Sequence, residues 1–148
     1  MNRRSFLAVV FATALLGGCA TGPRFTAVES GIPALAPSFS RVWFYRSASY
    51  LGSAIQPTIY LNGKAVGYSV PGGFFFADTK PGTCEVSTST EATKTLTFEC
   101  PAGAQTYVRT RVYFGVLVGR VYPDLVDPVV GQDAIQTLHF TGRKLSRE

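Results

Sequence analysis

The amino-acid sequence predicts an all-β fold, an antiparallel β-sandwich of about seven strands. Only 16% of the 148 residues are charged, whereas soluble domains average about 25%. The chain also has 15 glycines, 9 prolines, 7 tyrosines and 11 phenylalanines. From Ser40 onward, short apolar runs alternate with turn residues, a pattern typical of sheet proteins. We therefore assign residues 40–148 to one β-sandwich domain, which is long enough to bury a core.

The first strands of this domain are the most sharply defined. Residues Arg41–Arg46 are apolar on both faces and charged at the ends, so we expect a central strand there. The segments Thr58–Leu61 and Lys64–Tyr68 flank Asn62-Gly63, a dipeptide typical of a two-residue type I′ hairpin turn. The sequence therefore predicts a central strand followed by a tight β-hairpin.

The later strands are separated by further turn signals. Lys80–Thr83 fits a type II turn, with proline second and glycine third. We predict strands in four more segments: Phe74–Ala77, Thr83–Thr90, Lys94–Cys100 and Thr106–Val118. Residues 131–140 leave two alternatives open: a short C-terminal helix from a capping box at Asp133 to about Phe140, or a last strand.

The amino terminus has the pattern of a bacterial export signal. Arg3 and Arg4 precede Phe6–Leu16, an apolar stretch too short to span a bilayer. We therefore expect residues 1–18 to be a signal peptide. The segment Arg3–Leu7 also looks like the core of a twin-arginine signal. Because paired arginines serve in Sec signals too, both export routes stay open.

The apolar stretch ends in Leu16–Cys19, with the sequence Leu-Gly-Gly-Cys. This resembles the lipobox of bacterial lipoproteins, in which the cysteine thiol receives diacylglycerol. The resemblance implies that Cys19 carries the lipid, with acyl chains such as palmitate, and anchors the mature chain to a membrane. Ala20 stands where aspartate would mark retention in the inner membrane, which favours the periplasmic face of the outer membrane. The alternative is an ordinary signal peptide that contains a cysteine.

Residues 19–39 separate the expected lipid from the domain. They contain Pro23, Pro33 and Pro37, together with two glycines, and show no sustained periodicity. We expect this segment to be a flexible tether with a reach of about 25 Å.

The other two cysteines, Cys84 and Cys100, are expected to form a disulfide. With a hairpin turn at Glu91–Thr93, Cys84 lies directly opposite Cys100, and Val86 lies opposite Phe98. Directly opposed strand residues have Cα atoms about 4.5–5.5 Å apart, a separation that a disulfide accepts. The compartment beyond the inner membrane is oxidising, which allows the bond to persist. The alternative is two buried free cysteines.

The predicted strand Thr106–Val118 carries a candidate binding site. Its residues alternate between an apolar face and an outer face, and the outer face consists of Tyr107, Arg109, Arg111 and Tyr113. The two arginines, framed by tyrosines, could hold an anionic glycan or a lipid headgroup through charge and stacking. The alternative is an ordinary solvated strand face.

The sequence offers no constellation for catalysis, metal binding or a cofactor. His139 is the single histidine and lies between Leu138 and Phe140, so a zinc site or a Cys/His nucleophile pair lacks its partners. The net charge of +5 includes Arg3 and Arg4 of the expected signal peptide and forms no basic stripe. We therefore expect no catalytic residue, no metal, no cofactor and no nucleic-acid partner.

Several of these motifs together resemble a known family. They are the strand Val42–Arg46, the hairpin Ile59–Gly67, the pair Phe75-Phe76 and the Pro81-Gly82 turn. Over about residues 40–115 they look like the lipoprotein family of domain of unknown function 2846 (DUF2846). The hairpin followed by Pro-Gly is also similar to PEGA and transthyretin-like modules, which are non-catalytic β-sandwiches. The family has no assigned activity, so the resemblance implies no catalytic residues.

Two functions from different classes remain. The first is a non-enzymatic lipoprotein of the cell envelope, whose sandwich binds an envelope protein or glycan or stabilises an assembly. The alternative is a hydrolase or other enzyme that acts on cell-wall or lipid substrates. An exposed aromatic edge at Phe74–Phe76 would favour the binding module, whereas a cleft with converging carboxylates would favour the enzyme.

Overall fold

The computed structural model describes residues 19–90, 95–114 and 119–143. Within them the chain forms nine β-strands and two short α-helices: α1 Phe25–Val28, β1 Ser40–Tyr45, β2 Thr58–Leu61, β3 Lys64–Tyr68, β4 Gly73–Thr79, β5 Gly82–Thr88, β6 Leu96–Cys100, β7 Gln105–Phe114, β8 Gly119–Val126, α2 Pro128–Ile135 and β9 His139–Phe140. The predicted all-β sandwich is confirmed, with nine described strands rather than about seven. The expected signal peptide, residues 1–18, lies outside the described residues.

The strands form a five-stranded sheet and a four-stranded sheet. The strand orders are β8-β7-β1-β4-β9 and β3-β2-β5-β6. Strand β1 is central, as predicted, and pairs antiparallel with β4 but parallel with β7. Strand β9 also runs parallel to β4. The sheets are therefore mostly antiparallel, as predicted. Strand β7 is parallel to β1 because the chain crosses to the other sheet for β5 and β6 and returns beside β1 in the same direction.

The main core lies between the two sheets. Every residue of β1 is buried, and the alternation along the strand points Val42 and Phe44 towards the four-stranded sheet. Phe44 stacks on Phe75 of β4, with ring centroids 5.0 Å apart. From the facing sheet, Ile59 of β2 is 1% exposed. These contacts account for the apolar runs from which the strands were predicted.

The hairpin of β2 and β3 has the predicted turn. Asn62 and Gly63 both have positive φ angles, 50° and 78°, as a type I′ turn requires. The side-chain oxygen of Asn62 accepts a hydrogen bond from the backbone N–H of Glu85 at 2.8 Å. The turn therefore also ties β2 and β3 to the neighbouring strand β5.

A second apolar layer covers the outer face of the five-stranded sheet. Trp43 of β1 stacks on Tyr107 of β7 with ring centroids 6.0 Å apart. Phe25 of α1 lies over Trp43 and Phe74, at 6.3 and 5.7 Å between ring centroids. Helix α2 covers Tyr107 so closely that a Cβ at Gly131 would lie 2.4 Å from the Tyr107 side chain. The domain therefore has three layers rather than two.

The expected flexible tether is wrong for the segment that supplies this layer. The N–H of Phe25 donates to the carbonyl of Leu138 at 3.3 Å, and the guanidinium of Arg41 donates to the carbonyl of Pro33 at 2.9 Å. Phe25 itself is buried. The apolar outer face of the sheet needs a cover, and residues 20–33 provide part of it.

The C-terminal segment contains both alternatives that the sequence left open. Asp127 caps α2, since its carboxylate accepts the N–H of Val129 at 2.9 Å and Pro128 occupies the first helical position. Helix α2 therefore begins five residues before Asp133, where the capping box was predicted, and ends at Ile135. The short strand β9 follows it.

The predicted disulfide between Cys84 and Cys100 is present, and both residues are fully buried. The predicted register of the hairpin is wrong, because Cys84 lies opposite Phe98 and Cys100 lies opposite Gly82. The disulfide therefore joins diagonal neighbours, whose Cα atoms are 6.0 Å apart. A shift of two residues keeps every side chain on the same face, so the cysteines still meet. The predicted turn, Glu91–Thr93, lies outside the described residues.

The observed register also removes the like-charge pair that the predicted register would have created. Glu85 lies opposite Thr97 rather than Glu99. Glu99 instead accepts a hydrogen bond from the hydroxyl of Thr83, its partner across the ladder, at 3.0 Å. Electrostatic repulsion therefore favours the observed pairing over the predicted one.

Candidate functional site

The first described residue, Cys19, lies next to the folded domain. Its thiol is free and exposed. The N–H of the following residue, Ala20, donates to the carbonyl of Pro71 in the turn between β3 and β4 at 2.9 Å. One residue therefore separates Cys19 from a backbone hydrogen bond to the sandwich.

His139 helps to fix the chain that follows Cys19. Its Nδ1 lies 2.5 Å from the carbonyl of Gly22, and its backbone pairs with Arg24. A carbonyl can only accept, so Nδ1 carries the proton and donates. The histidine is half-buried in this contact and holds Gly22 beside β9.

Cys19 and the carboxyl end of β1 lie at one end of the sandwich. The N–H of Gly72 donates to the carbonyl of Arg46, just after β1, at 3.0 Å. Strand β7 also runs towards this end, since Arg109 lies opposite Tyr45 and the strand continues to Phe114. We call this region the Cys19 end: it comprises residues 46–57, residues 68–73 and the last residues of β7.

A cavity of about 270 Å³ opens at the Cys19 end. It lies beyond the last residue of β1, where β7 continues without β1 as its neighbour. The segment after β1 therefore faces the last residues of β7. Its lining includes three arginines, two serines and three apolar side chains: Arg46, Arg109, Arg111, Ser47, Ser49, Leu51, Val112 and Phe114. None of the described residues that line it is a carboxylate. The cavity therefore combines positive charge and hydroxyl groups with an apolar rim, as an anion site requires.

Arg46 has a structural role in this cavity. It is 3% exposed, and its guanidinium donates to the carbonyls of Gly52, Ile55 and Ser69 at 2.8, 2.6 and 3.0 Å. Burial lowers the pKa of Arg46. Its donors hold the loop between β1 and β2 against the sheet, so it shapes the cavity and leaves recognition of an anion to the other two arginines.

The structure brings Arg109 and Arg111, the predicted pair, to the same cavity. Arg109 is half-buried, and its Nε has no hydrogen-bond partner among the described residues. Arg111 donates to Asp124 of β8 at 2.6 Å. That hydrogen bond is the main reason that the pKa of Arg111 is raised. Arg109 therefore has an unused donor, whereas Arg111 is already paired.

The two predicted tyrosines lie in different places. Tyr113 is 43% exposed and packs beside Tyr122, with ring centroids 5.3 Å apart, and the guanidinium of Arg111 lies 5.6 Å from its ring. Tyr107 is buried between Trp43 and α2, where burial raises the pKa of its hydroxyl. The expectation that Tyr107 frames the arginines is therefore wrong, because a helix covers that part of the strand.

Exposed apolar side chains at the Cys19 end were missed by the sequence reasoning. Tyr50 is 93% exposed, Leu51 70% and Phe114 55%. Tyr50 and Leu51 stand in a loop of small residues without periodicity, so the pattern gave no sign of their position. By contrast, Phe74 and Phe75 are buried, so the aromatic edge that would have marked a binding surface at Phe74–Phe76 is part of the core.

Two other kinds of feature are absent from residues 19–90, 95–114 and 119–143. No group of three or more His, Cys, Asp or Glu residues there could hold a metal ion. No helix in the same residues has the length and hydropathy needed to cross a membrane.

We predict that the double substitution Arg109→Ser and Arg111→Ser changes the free energy of unfolding by less than about 1 kcal/mol. The ion pair of Arg111 is exposed, with 46% of the side chain accessible, and the Nε of Arg109 forms no bond to lose. Denaturant unfolding measures the change, with Arg46→Ser as the control. Arg46→Ser should cost several times more, because it leaves three carbonyls without their donor. If the double variant lost as much unfolding free energy as Arg46→Ser, Arg109 and Arg111 would be shown to stabilise the fold.

Comparisons with known proteins give a family and a relative. The family model described as protein of unknown function (DUF2846) matches residues 37–121, more than half of the chain. The chain is also similar to an uncharacterized protein of Haemophilus influenzae, with 31% identity over an alignment of 134 residues that covers 85% of this chain and 77% of that protein. No solved structure matches the chain significantly. The residues matched by the family model include the disulfide and the cavity arginines.

Proposed function

We propose that this chain, which belongs to the DUF2846 family of proteins of unknown function, is a bacterial envelope lipoprotein anchored through Cys19. The observation that carries the proposal is the tetrapeptide Leu16–Cys19, which follows an apolar stretch headed by Arg3 and Arg4. The acyl chains on Cys19 would hold the domain at the periplasmic face of the outer membrane, because Ala20 replaces the aspartate of inner-membrane lipoproteins. Export would follow the Sec or the twin-arginine route.

The state of the three cysteines supports this proposal. Cys84 and Cys100 are joined and buried, which suits a protein that folds in an oxidising compartment. Cys19 is the one cysteine of the three in the sequence that remains, and its thiol is free and exposed. An enzyme that transfers diacylglycerol needs a free thiol as the acceptor. The thiol of Cys19, the last residue of the lipobox-like segment Leu16–Cys19, meets this requirement.

The mature domain would then act by binding rather than by catalysis. The arginine cavity supports a binding role, because it combines the positive charge of Arg109 and Arg111 with an apolar rim. The buried Nε of Arg109 also has no hydrogen-bond partner among the described residues. Among the described residues, the lining of the cavity contains no carboxylate, histidine or cysteine to serve as an acid, a base or a nucleophile. The membrane is the partner implied by the anchor, and envelope proteins or glycans are further partners that the same surface could meet. No nucleic acid and no cofactor enter this proposal.

Substitution of Cys19 tests the anchor directly. In a Gram-negative host fed a palmitate analogue, the wild-type chain should be labelled and Cys19→Ala should not, because the alanine has no thiol to form the thioether. The matched control is Cys84→Ala with Cys100→Ala, which removes the other two cysteines and should keep the label. Equal labelling of Cys19→Ala and the wild type would show that lipid is attached elsewhere and would end the proposal.

A further inference from the structure

The position of Cys19 restricts how the domain can sit on a membrane. Ala20 is hydrogen-bonded to Pro71 at 2.9 Å, and consecutive Cα atoms are about 3.8 Å apart. The lipid would therefore emerge within a few ångströms of the sandwich rather than at the end of a long tether. Because the acyl chains enter the bilayer, the Cys19 end must lie at the membrane surface. This step rests on the proposed lipidation of Cys19.

The exposed side chains at the Cys19 end have the chemistry of a membrane interface. Tyr50, Leu51 and Phe114 are between 55% and 93% exposed. Tyrosine and other aromatic side chains favour the headgroup region of a bilayer, where an apolar body and a polar tip are both accommodated. At the opposite end, Phe39 is 39% exposed. Leu125, Val129 and Val130 are also exposed, on the last residues of β8 and on α2, but they are aliphatic. The exposed aromatic side chains are therefore concentrated at the Cys19 end, where Tyr68 is exposed as well.

The charge at this end is complementary to an anionic surface. Residues 46–57 and 68–73 contain no aspartate or glutamate, and the β7–β8 hairpin adds the exposed Arg120 beside the ion pair of Arg111 with Asp124. The opposite end has mixed charge, with Asp78 and Glu99 beside Lys64 and Lys80. Basic residues close to a membrane are attracted to anionic headgroups. The distribution of charge therefore agrees with the concentration of exposed aromatic residues at the Cys19 end.

We propose that the Cys19 end is a membrane-docking surface. Tyr50, Leu51 and Phe114 enter the interfacial region of the bilayer, and the arginine cavity receives the phosphate of a lipid headgroup. Arg109 and Arg111, which both line the cavity, supply the positive charge that attracts that phosphate. The lipidated domain then has one orientation, with its Cys19 end at the membrane and the opposite end away from it.

Site-specific fluorescence on the mature lipidated protein tests this orientation. Because Cys19 would carry lipid and Cys84 is bonded to Cys100, one engineered cysteine can be labelled uniquely. Tyr50→Cys places an environment-sensitive fluorophore at the Cys19 end, and Lys80→Cys places it at the opposite end as the control. Both positions are exposed, so neither label disturbs the core. The labelled proteins are reconstituted into phosphatidylethanolamine vesicles that contain phosphatidylglycerol and a lipid spin-labelled near the headgroup.

We expect the spin label to quench the fluorophore at position 50 at least about threefold more than the one at position 80, since six strand residues separate the two ends by roughly 20 Å. Equal quenching, or stronger quenching at position 80, would overturn the docking surface even if the protein floats with the vesicles. That result would also favour a protein or glycan as the occupant of the exposed face. Failure to float would overturn the lipoprotein proposal, and the docking surface with it.

A lipid exchange tests the cavity separately. Replacing phosphatidylglycerol with phosphatidylcholine should reduce the quenching at position 50 in the wild-type background. In the Arg109→Ser and Arg111→Ser background this dependence on anionic lipid should disappear. If both backgrounds respond equally to the exchange, the arginine cavity does not receive the headgroup.

Discussion

Replacing Phe25 with alanine is expected to destabilise the domain by about 3–5 kcal/mol. Phe25 is 8% exposed, and its ring lies against Trp43 and Phe74 of the five-stranded sheet. The alanine would leave a cavity over both rings and would weaken the attachment of residues 20–33. Denaturant unfolding of the variant and the wild type measures the loss.

The same substitution at Phe39 is the matched control for Phe25→Ala. Phe39 also precedes β1 but is 39% exposed, so Phe39→Ala should lose about 1 kcal/mol or less. If both variants lost equally little, residues 20–39 would be the flexible tether that their composition suggests. The close approach of Cys19 to the domain, and the membrane orientation inferred from it, would then have no basis.

Removal of the disulfide by Cys84→Ala and Cys100→Ala is expected to lower the free energy of unfolding by about 3 kcal/mol. The two cysteines are 16 residues apart in sequence, and the bond restricts the unfolded chain over that loop. Their full burial adds a packing loss on substitution. Denaturant unfolding with and without reductant measures both contributions.

The wild-type protein should lose stability when reductant is added, whereas the double variant should be insensitive to it. Alkylation without reductant, followed by mass spectrometry, should leave Cys84 and Cys100 unmodified in protein taken from the periplasm. Two alkylated thiols at these positions would contradict the disulfide. A double variant as stable as the wild type would show that the bond is formed without supporting the fold.

The strands were predictable where a local signal defined them. The apolar run of β1 and the Asn62-Gly63 turn each act over a few residues, and both were located correctly. The register of β5 and β6 was not predictable in the same way, because it depends on the conformation of the connecting residues. Even so, the pairing of Cys84 with Cys100 was recovered, since a shift of two residues preserves the inward face.

Longer-range features were beyond the sequence pattern. Phe25 is a single phenylalanine in a segment rich in proline and glycine. Because that segment has no periodicity, its sequence does not indicate that Phe25 is buried, and the third layer was not predicted. The alternation of β7 was visible, but it cannot show that α2 covers Tyr107 and leaves Arg111 accessible. The arginine pair was therefore identified from the sequence, whereas the cavity depends on a loop whose position Arg46 sets.

The amino-terminal residue of the mature protein tests the central claim most directly. Mass spectrometry of protein extracted from envelopes should show a chain that begins at Cys19, lacks residues 1–18 and carries diacylglycerol on the cysteine sulfur. A mature chain that retains residues 1–18, or one whose Cys19 thiol is unmodified and can be alkylated, would contradict the account.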